Sequence, residues 1–299
     1  MKVGLLGWDH GELDLDVPAY LETGRSRGHD LSVFTLEEIT YVARRSGGFD
    51  LRLAGEPAQS FDAILSRAKL YGDDWQDRVE RLTLLSQVPG VRLFDPADAW
   101  VRGYSKLLCT ERLAAAGLPV APTRSVTSVE DVEEALVQWG DVVVKPSFQF
   151  SGTDVERITA LPDEEEVVRD LLSRYVTLAC MPHYPTEHGE YRLNVAGDTS
   201  CVTTFKLPPL GIWRCKTLEG ATFERVEAPP ELAEMAFRAA RAMGLSLAGV
   251  DALPTPEGYV ILEANPVPGM LNMLGDEARQ DTLDGLYDWV ERQTACPHG

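Results

Sequence analysis

Apolar positions in the first hundred residues alternate between short runs and segments of helical spacing. Val3 to Leu6, Leu31 to Phe34, Phe61 to Ser66 and Val91 to Phe94 read as strands. Pro18 to Arg27, closed by Gly28, and Trp75 to Val88, with Val79, Leu82 and Leu85 on one face, read as helices. This alternation predicts a parallel sheet covered by helices. No GxGxxG turn follows the opening strand, so a dinucleotide fold is not supported. Beyond it, Ser105 to Ala116 reads as a helix stopped by Gly117 and Pro119, and Val120 to Val126 as extended. Ser128 opens a helix to about Trp139, and Val142 to Pro146 is a buried strand before the polar and aromatic loop Ser147 to Asp154. Pro162 to Ser173 is an acidic helix, and Val176 to Met181 a strand. Tyr191 to Val195 and Ser200 to Lys206 form a hairpin around Gly197-Asp198, and Pro230 to Met243 a helix stopped by Gly244. No internal repeat, linker or low-complexity segment is visible.

The chemistry concentrates near the C-terminus. Leu247 to Leu253 and Gly258 to Asn265 read as strands joined by the polar turn Pro254 to Gly258. In an extended second strand Tyr259, Ile261, Glu263 and Asn265 share one face, and Asp251 lies diagonally across from Glu263. Two carboxylates and an amide oxygen converging at strand ends suit Mg²⁺ together with phosphates. By position alone Asp251 would sooner be a turn or cap residue; the matching face of Glu263 and Asn265 argues for a metal.

Length and charge narrow the class. The 299 residues suffice for two or three subdomains, and 44% hydrophobic with 25% charged is ordinary for a globular enzyme. A formal charge of -19 disfavours nucleic acid and anionic membrane as partners. The five cysteines show no CxxC pairing and no His partner at metal spacing, which points to reduced thiols in a cytoplasm. The initial apolar run is too short for a signal peptide, and nothing approaches a membrane span.

Four separated signals then line up: Lys106 in Tyr104-Ser-Lys-Leu-Leu108, Lys145 after three valines, Glu190-Tyr-Arg192, and Asp251 with Leu262-Glu-Ala-Asn265. Their order and spacing resemble the RimK-like carboxylate–amine ligase branch of the ATP-grasp superfamily over essentially the whole chain. The resemblance implies an α/β ATP-grasp fold. A preATP-grasp domain would span 1–103, a central lid domain 104–182 and an ATP- and metal-binding domain 183–299. Lys106 and Lys145 would contact the phosphates of ATP, under a lid of Ser147 to Thr153 that includes Ser151, Gly152 and Thr153. Cys180, Met181 and Pro182 would form the adenine hinge, and Glu190 would hold the ribose. Arg192, Arg214 and Lys216 would face the γ-phosphate and an acyl phosphate, and Asp251, Glu263 and Asn265 would hold two Mg²⁺ ions, or Mn²⁺ in their place.

The implied reaction activates a small amino-acid-type carboxylate for attack by an amine, releasing ADP and phosphate. No Ser-His-Asp or Cys-His arrangement is needed for it, and none is visible. Ring closure within one amino-acid derivative during antibiotic biosynthesis, as in the D-cycloserine synthetases, is the alternative, with an ATP-binding sensor as a non-catalytic one. Arg67, at the end of the third strand, is a candidate for the substrate carboxylate. A cytoplasmic homo-oligomer, dimer or tetramer, is the expected assembly. Simpler readings stand beside these: Lys145 as a snorkelling strand-end lysine, and Glu190 with Arg192 as a surface ion pair. Phe148 and Phe150 read as packing, and His183 and His188 receive no role.

Overall fold

The structure is a computed structural model that describes residues 1–7, 16–68, 70, 72, 74–149, 152–215, 219–268 and 275–295. The first unit runs β1 (Lys2–Leu6), α1 (Val17–Ser26), β2 (Asp30–Phe34), β3 (Ile39–Ala43), β4 (Phe49–Leu53), β5 (Glu56–Pro57), β6 (Ala63–Ser66), α2 (Trp75–Ser86), β7 (Leu93–Phe94) and α3 (Ala97–Tyr104). Strands β2-β1-β6-β7 form the expected parallel sheet. Period-2 alternation sends Leu6 and Ile64 to a core with Leu82, Leu85 and Trp100. Val3, Leu5, Ala63 and Leu65 go to the opposite side. The small antiparallel sheet β3-β4-β5 was not anticipated; it closes the first core with Leu51 and Leu53.

The second unit contains α4 (Lys106–Ala115), β8 (Arg124–Val126), α5 (Val129–Trp139), β9 (Val142–Pro146), β10 (Glu156–Ile158), α6 (Leu161–Arg174) and β11 (Leu178–Pro182). Its antiparallel sheet has the order β10-β9-β11-β8. Val142, Val144 and Cys180 pack beneath α5 and α6, with Val132, Ala135, Val168 and Leu171. Val143 and Met181 occupy the other face, against the third unit.

That third unit contains β12 (Glu190–Ala196), β13 (Ser200–Leu207), β14 (Thr222–Val226), α7 (Pro230–Met243), β15 (Leu247–Thr255), β16 (Gly258–Asn265) and α8 (Asp276–Ala295). The sheet order is β14-β13-β12-β15-β16, antiparallel throughout. Helix α7 covers one face through Leu232, Ala236, Ala240 and Met243, which meet Leu193, Val195, Val250 and Ile261. Helix α8 returns to the first unit, where Leu283, Leu286, Tyr287 and Val290 pack on Val3, Leu5 and Leu65. The first unit's core is therefore completed by the far end of the chain. No described helix is long and apolar enough to cross a membrane.

Candidate active site

The site is built on one irregularity in the β15–β16 hairpin. Counting from the turn, Thr255 pairs with Gly258, Pro254 with Tyr259, Leu253 with Val260 and Ala252 with Ile261. A bulge then leaves Leu262 out of register, so that Asp251 pairs with Glu263 and Gly249 with Asn265. An extra residue in a strand reverses which side chains face which side beyond it. Asp251 and Glu263 thus stand directly opposite each other, not diagonally as expected. Tyr259 and Ile261 do not share their face either. Both pack into the core beneath α7, while Glu263 and Asn265 point to the other side.

Cations converge on the two carboxylates from four elements. Arg192, opposite Asp251 on β12, forms a fork with Nε and Nη2 each 2.7 Å from a carboxylate oxygen. Lys206 of β13 donates to Asp251 Oδ1 at 3.0 Å and also to Glu190. Lys106 Nζ stands 2.9 Å from Glu263 Oε2, and Lys145 Nζ 4.0 Å from the same oxygen. Ser105 caps α4 by accepting from Leu108 N, and Lys106 N donates to Ser147 O at 2.7 Å, which fixes the helix start against the end of β9. The Asn265 amide donates to Glu263 at 3.0 Å and Asp251 at 3.2 Å.

Four cations therefore enclose three carboxylates. Burial works against the Glu263 charge, but Lys106 and Lys145 overcome it and hold the group well below the usual carboxylate range. Burial likewise opposes the Asp251 charge, and Arg192 with Lys206 lowers its pKa. Burial depresses Lys145 although Glu263 pulls the other way. Glu190 is pushed up to about 7 by burial and by neighbouring Asp251, against the pull of Lys206.

Among the described residues no three acidic, His or Cys side chains enclose a point that could hold a metal. Two facing carboxylates and an amide do fit Mg²⁺ in its usual setting, where phosphates and water complete an octahedron. The donor set suits a cation that arrives with a polyphosphate. Beside it the second and third units meet in an apolar cluster of Val143, Met181, Leu253 and Val260, with Leu262 and Trp213 packed against it.

The remaining expected residues divide. Met181 packs in that cluster, whereas the Cys180 side chain faces the α5–α6 core. Strand β8 ends opposite Cys180, so Met181 and Pro182 pair only with β9. Glu190 turns toward Lys206 and Asp251, joining the carboxylate cluster. Arg214 pairs with Glu219 at 2.8 Å and donates to Val155 O at 2.9 Å, tying its loop to the chain that enters β10. Gly152 takes the left-handed φ of 62° and Thr153 is exposed. Ser151 and Lys216 lie outside the described residues. Phe148 packs against Tyr104 and Trp75, as expected of a packing residue. Arg67 is only 3% exposed; it pairs with Asp16 at 2.9 Å and donates to Tyr20 Oη at 3.1 Å. The residue the sequence reading missed is Lys206. Its signal was a lysine alternating with Thr204 on an otherwise half-apolar strand.

Comparisons with known proteins bear on this geometry. The chain is 28% identical over 261 residues to a probable alpha-L-glutamate ligase of Xanthomonas campestris pv. campestris, covering 85% of this chain and 87% of that protein. The crystal structure of D-cycloserine synthetase DcsG superposes with a TM-score of 0.72 at 22% identity, over 97% of this chain and all (100%) of the other. The ATP-grasp ligase PsnB, solved with a phosphomimetic variant of its minimal precursor, Mg and ADP, superposes with a TM-score of 0.70 at 21% identity, over 97% and 98% of the two chains. The family description RimK-like ATP-grasp domain matches residues 104–282, from the end of α3 into α8. With that match spanning the lysines, the apolar cluster and the carboxylate pair, the chain belongs to the RimK-like ATP-grasp family of ATP-dependent ligases.

Proposed function

We propose that this protein uses ATP to activate a small amino-acid-type carboxylate as an acyl phosphate, which an amine then attacks to release phosphate. The observation that carries this reading is the bulge-aligned Asp251–Glu263 pair ringed by Lys106, Lys145, Arg192 and Lys206. A surplus of buried positive charge beside ionised carboxylates is what a metal–polyphosphate needs and what an empty cluster does not. Asp251, Glu263 and Asn265 would hold two Mg²⁺ ions, which when bound offset phosphate charge and orient the γ-phosphoryl group. Lys106 and Lys145 would bind phosphate oxygens, leaving Glu263 to the metal. Arg192, Arg214 and Lys216 would face the transferred group. The base would lie against the apolar side chains of Val143, Met181, Leu253 and Leu262.

The name of the Xanthomonas relative supports L-glutamate as the first amine or carboxylate to test. Closing a ring within one amino-acid derivative would use the same activation and differs only in product mass. The free thiols of Cys109, Cys180, Cys201 and Cys215 fit a cytoplasmic setting. The test is ADP and phosphate release with Mg²⁺-ATP over D- and L-amino acids, singly and in pairs, with mass detection of products. Amino-acid-dependent ADP release that Asp251→Ala and Glu263→Ala abolish is the expected result. Normal turnover in both variants would remove the metal assignment, and a stable phosphorylated product would indicate a kinase instead.

A further inference from the structure

The bulge-aligned face extends past the carboxylates to a pair of polar residues with no role so far. Asn194 follows Arg192 by two positions on β12, so both side chains lie on the same face, and Thr204 stands opposite Arg192 on β13. Asn194 is 0% exposed and Thr204 3% exposed. The Asn194 Nδ2 and Oδ1 and the Thr204 Oγ1 are buried with no hydrogen-bond partner. Buried amides and hydroxyls are almost always paired, because desolvating one without a compensating partner is costly. Leaving three such atoms open in one patch is a departure that calls for a ligand.

The opposite residue makes room for Arg192. Gly249 is the register partner of Asn194, and a Cβ there would lie 2.5 Å from Arg192 Nη1 and 3.1 Å from Pro268 Cβ. Arg192 spends Nε and Nη2 on Asp251, which leaves Nη1, lying over Gly249, as the guanidinium nitrogen on the Asn194–Gly249 row of the sheet. Two kinds of donor, a guanidinium and an amide, thus share one face of the sheet with an amide oxygen and a hydroxyl that both accept. A carboxylate takes the first set and an ammonium the second.

We propose that Asn194 and Thr204, together with Arg192 Nη1, bind the α-amino-carboxylate head of the substrate. The proposal rests on the ligase reading above and adds the location and chemistry of the amino-acid head. Arg192 then couples the two halves of the site, with one edge of its fork on Asp251 and the other on the substrate. Asn194 and Thr204 are positioning and specificity residues.

The test pairs stability with binding in Asn194→Leu and Thr204→Val, which keep volume and remove the polar atoms. If those atoms are held open for a ligand, the ligand-free variants melt at or above the wild-type temperature. Calorimetric binding of Mg²⁺-AMP-PNP stays within twofold. In ADP release with L-glutamate and the other L- and D-amino acids, KM for the active amino acid rises tenfold or more while KM for ATP holds. A lower melting temperature in both variants would mean that the atoms are paired, for instance by a buried water, and would overturn the subsite alone. So would an unchanged amino-acid KM. A wild type that binds Mg²⁺-AMP-PNP but releases no ADP with any amino acid would instead overturn the amino-acid reading, and the head-group assignment with it.

Discussion

Two buried ion clusters in this molecule use the same residue types to different ends. In the first unit Arg67 joins Asp16, donates to the Tyr20 hydroxyl, and stacks over that ring at 4.9 Å. In the third, Asp251 and Glu263 receive four cations from α4, β9, β12 and β13, with an amide between them. The first set of contacts links α1's start to the end of β6, and its groups face one another. The second gathers more positive charge than its own carboxylates need, beside an apolar cluster between two units. Matched buried pairs serve the fold, whereas a compensated surplus is preorganised for an anion still to come.

The comparison breaks most plainly at the carboxylates. Asp251→Asn and Glu263→Gln should each lower ADP release by roughly a hundredfold or more, and move the magnesium titration to higher concentration. Retained turnover at ordinary magnesium would put this cluster in the same class as the first. The converse is Arg67→Met, which removes the guanidinium from the buried Asp16 carboxylate and should lower unfolding stability by about 3 kcal/mol in urea titrations. Turnover per folded molecule should hold. A raised substrate KM with intact stability would instead give Arg67 the substrate role expected of it from sequence.

Smaller effects sharpen the contrast. Lys145→Met should weaken Mg²⁺-AMP-PNP binding by roughly tenfold, the worth of one charge-assisted hydrogen bond, as read by calorimetry. Unaltered affinity would leave Lys145 as a partner of Glu263 only. The smallest signal concerns Asp95, which accepts from Ser246 N at 2.8 Å and is pushed up to about 7 by burial. The folded protein then keeps a proton that the unfolded chain has released, so stability falls as pH rises from about 4 toward 7 and levels off above. Glu190, also at about 7, adds a slope of the same sign. Asp95→Asn should therefore remove part of the decline in melting temperature between pH 5 and 8. An identical profile in the variant would show that Asp95 is ionised in the fold.

Much of the architecture was legible because each strand of the parallel sheet is apolar and each helix periodic. The lysines, Glu190-Tyr-Arg192 and the acidic hairpin could also be picked out by residue type and order. Strands β3, β4 and β5 were not, since β3 is largely exposed and carries no alternation that a sheet edge would demand. Helix α8 escaped notice because its apolar residues are few and their partners, Val3 and Leu5, lie at the other end of the chain.

Residue identity determined which groups could do chemistry here: two carboxylates, an amide and several cations, in a family order that names the nucleotide. Tertiary structure decided which of them meet. Alternation along β16 would place Glu263 beside Ile261, yet the unpaired Leu262 turns the strand over and delivers Glu263 to Asp251. A strand's sidedness depends on register, and register is settled by the partner strand and the core beneath it, not by the local sequence.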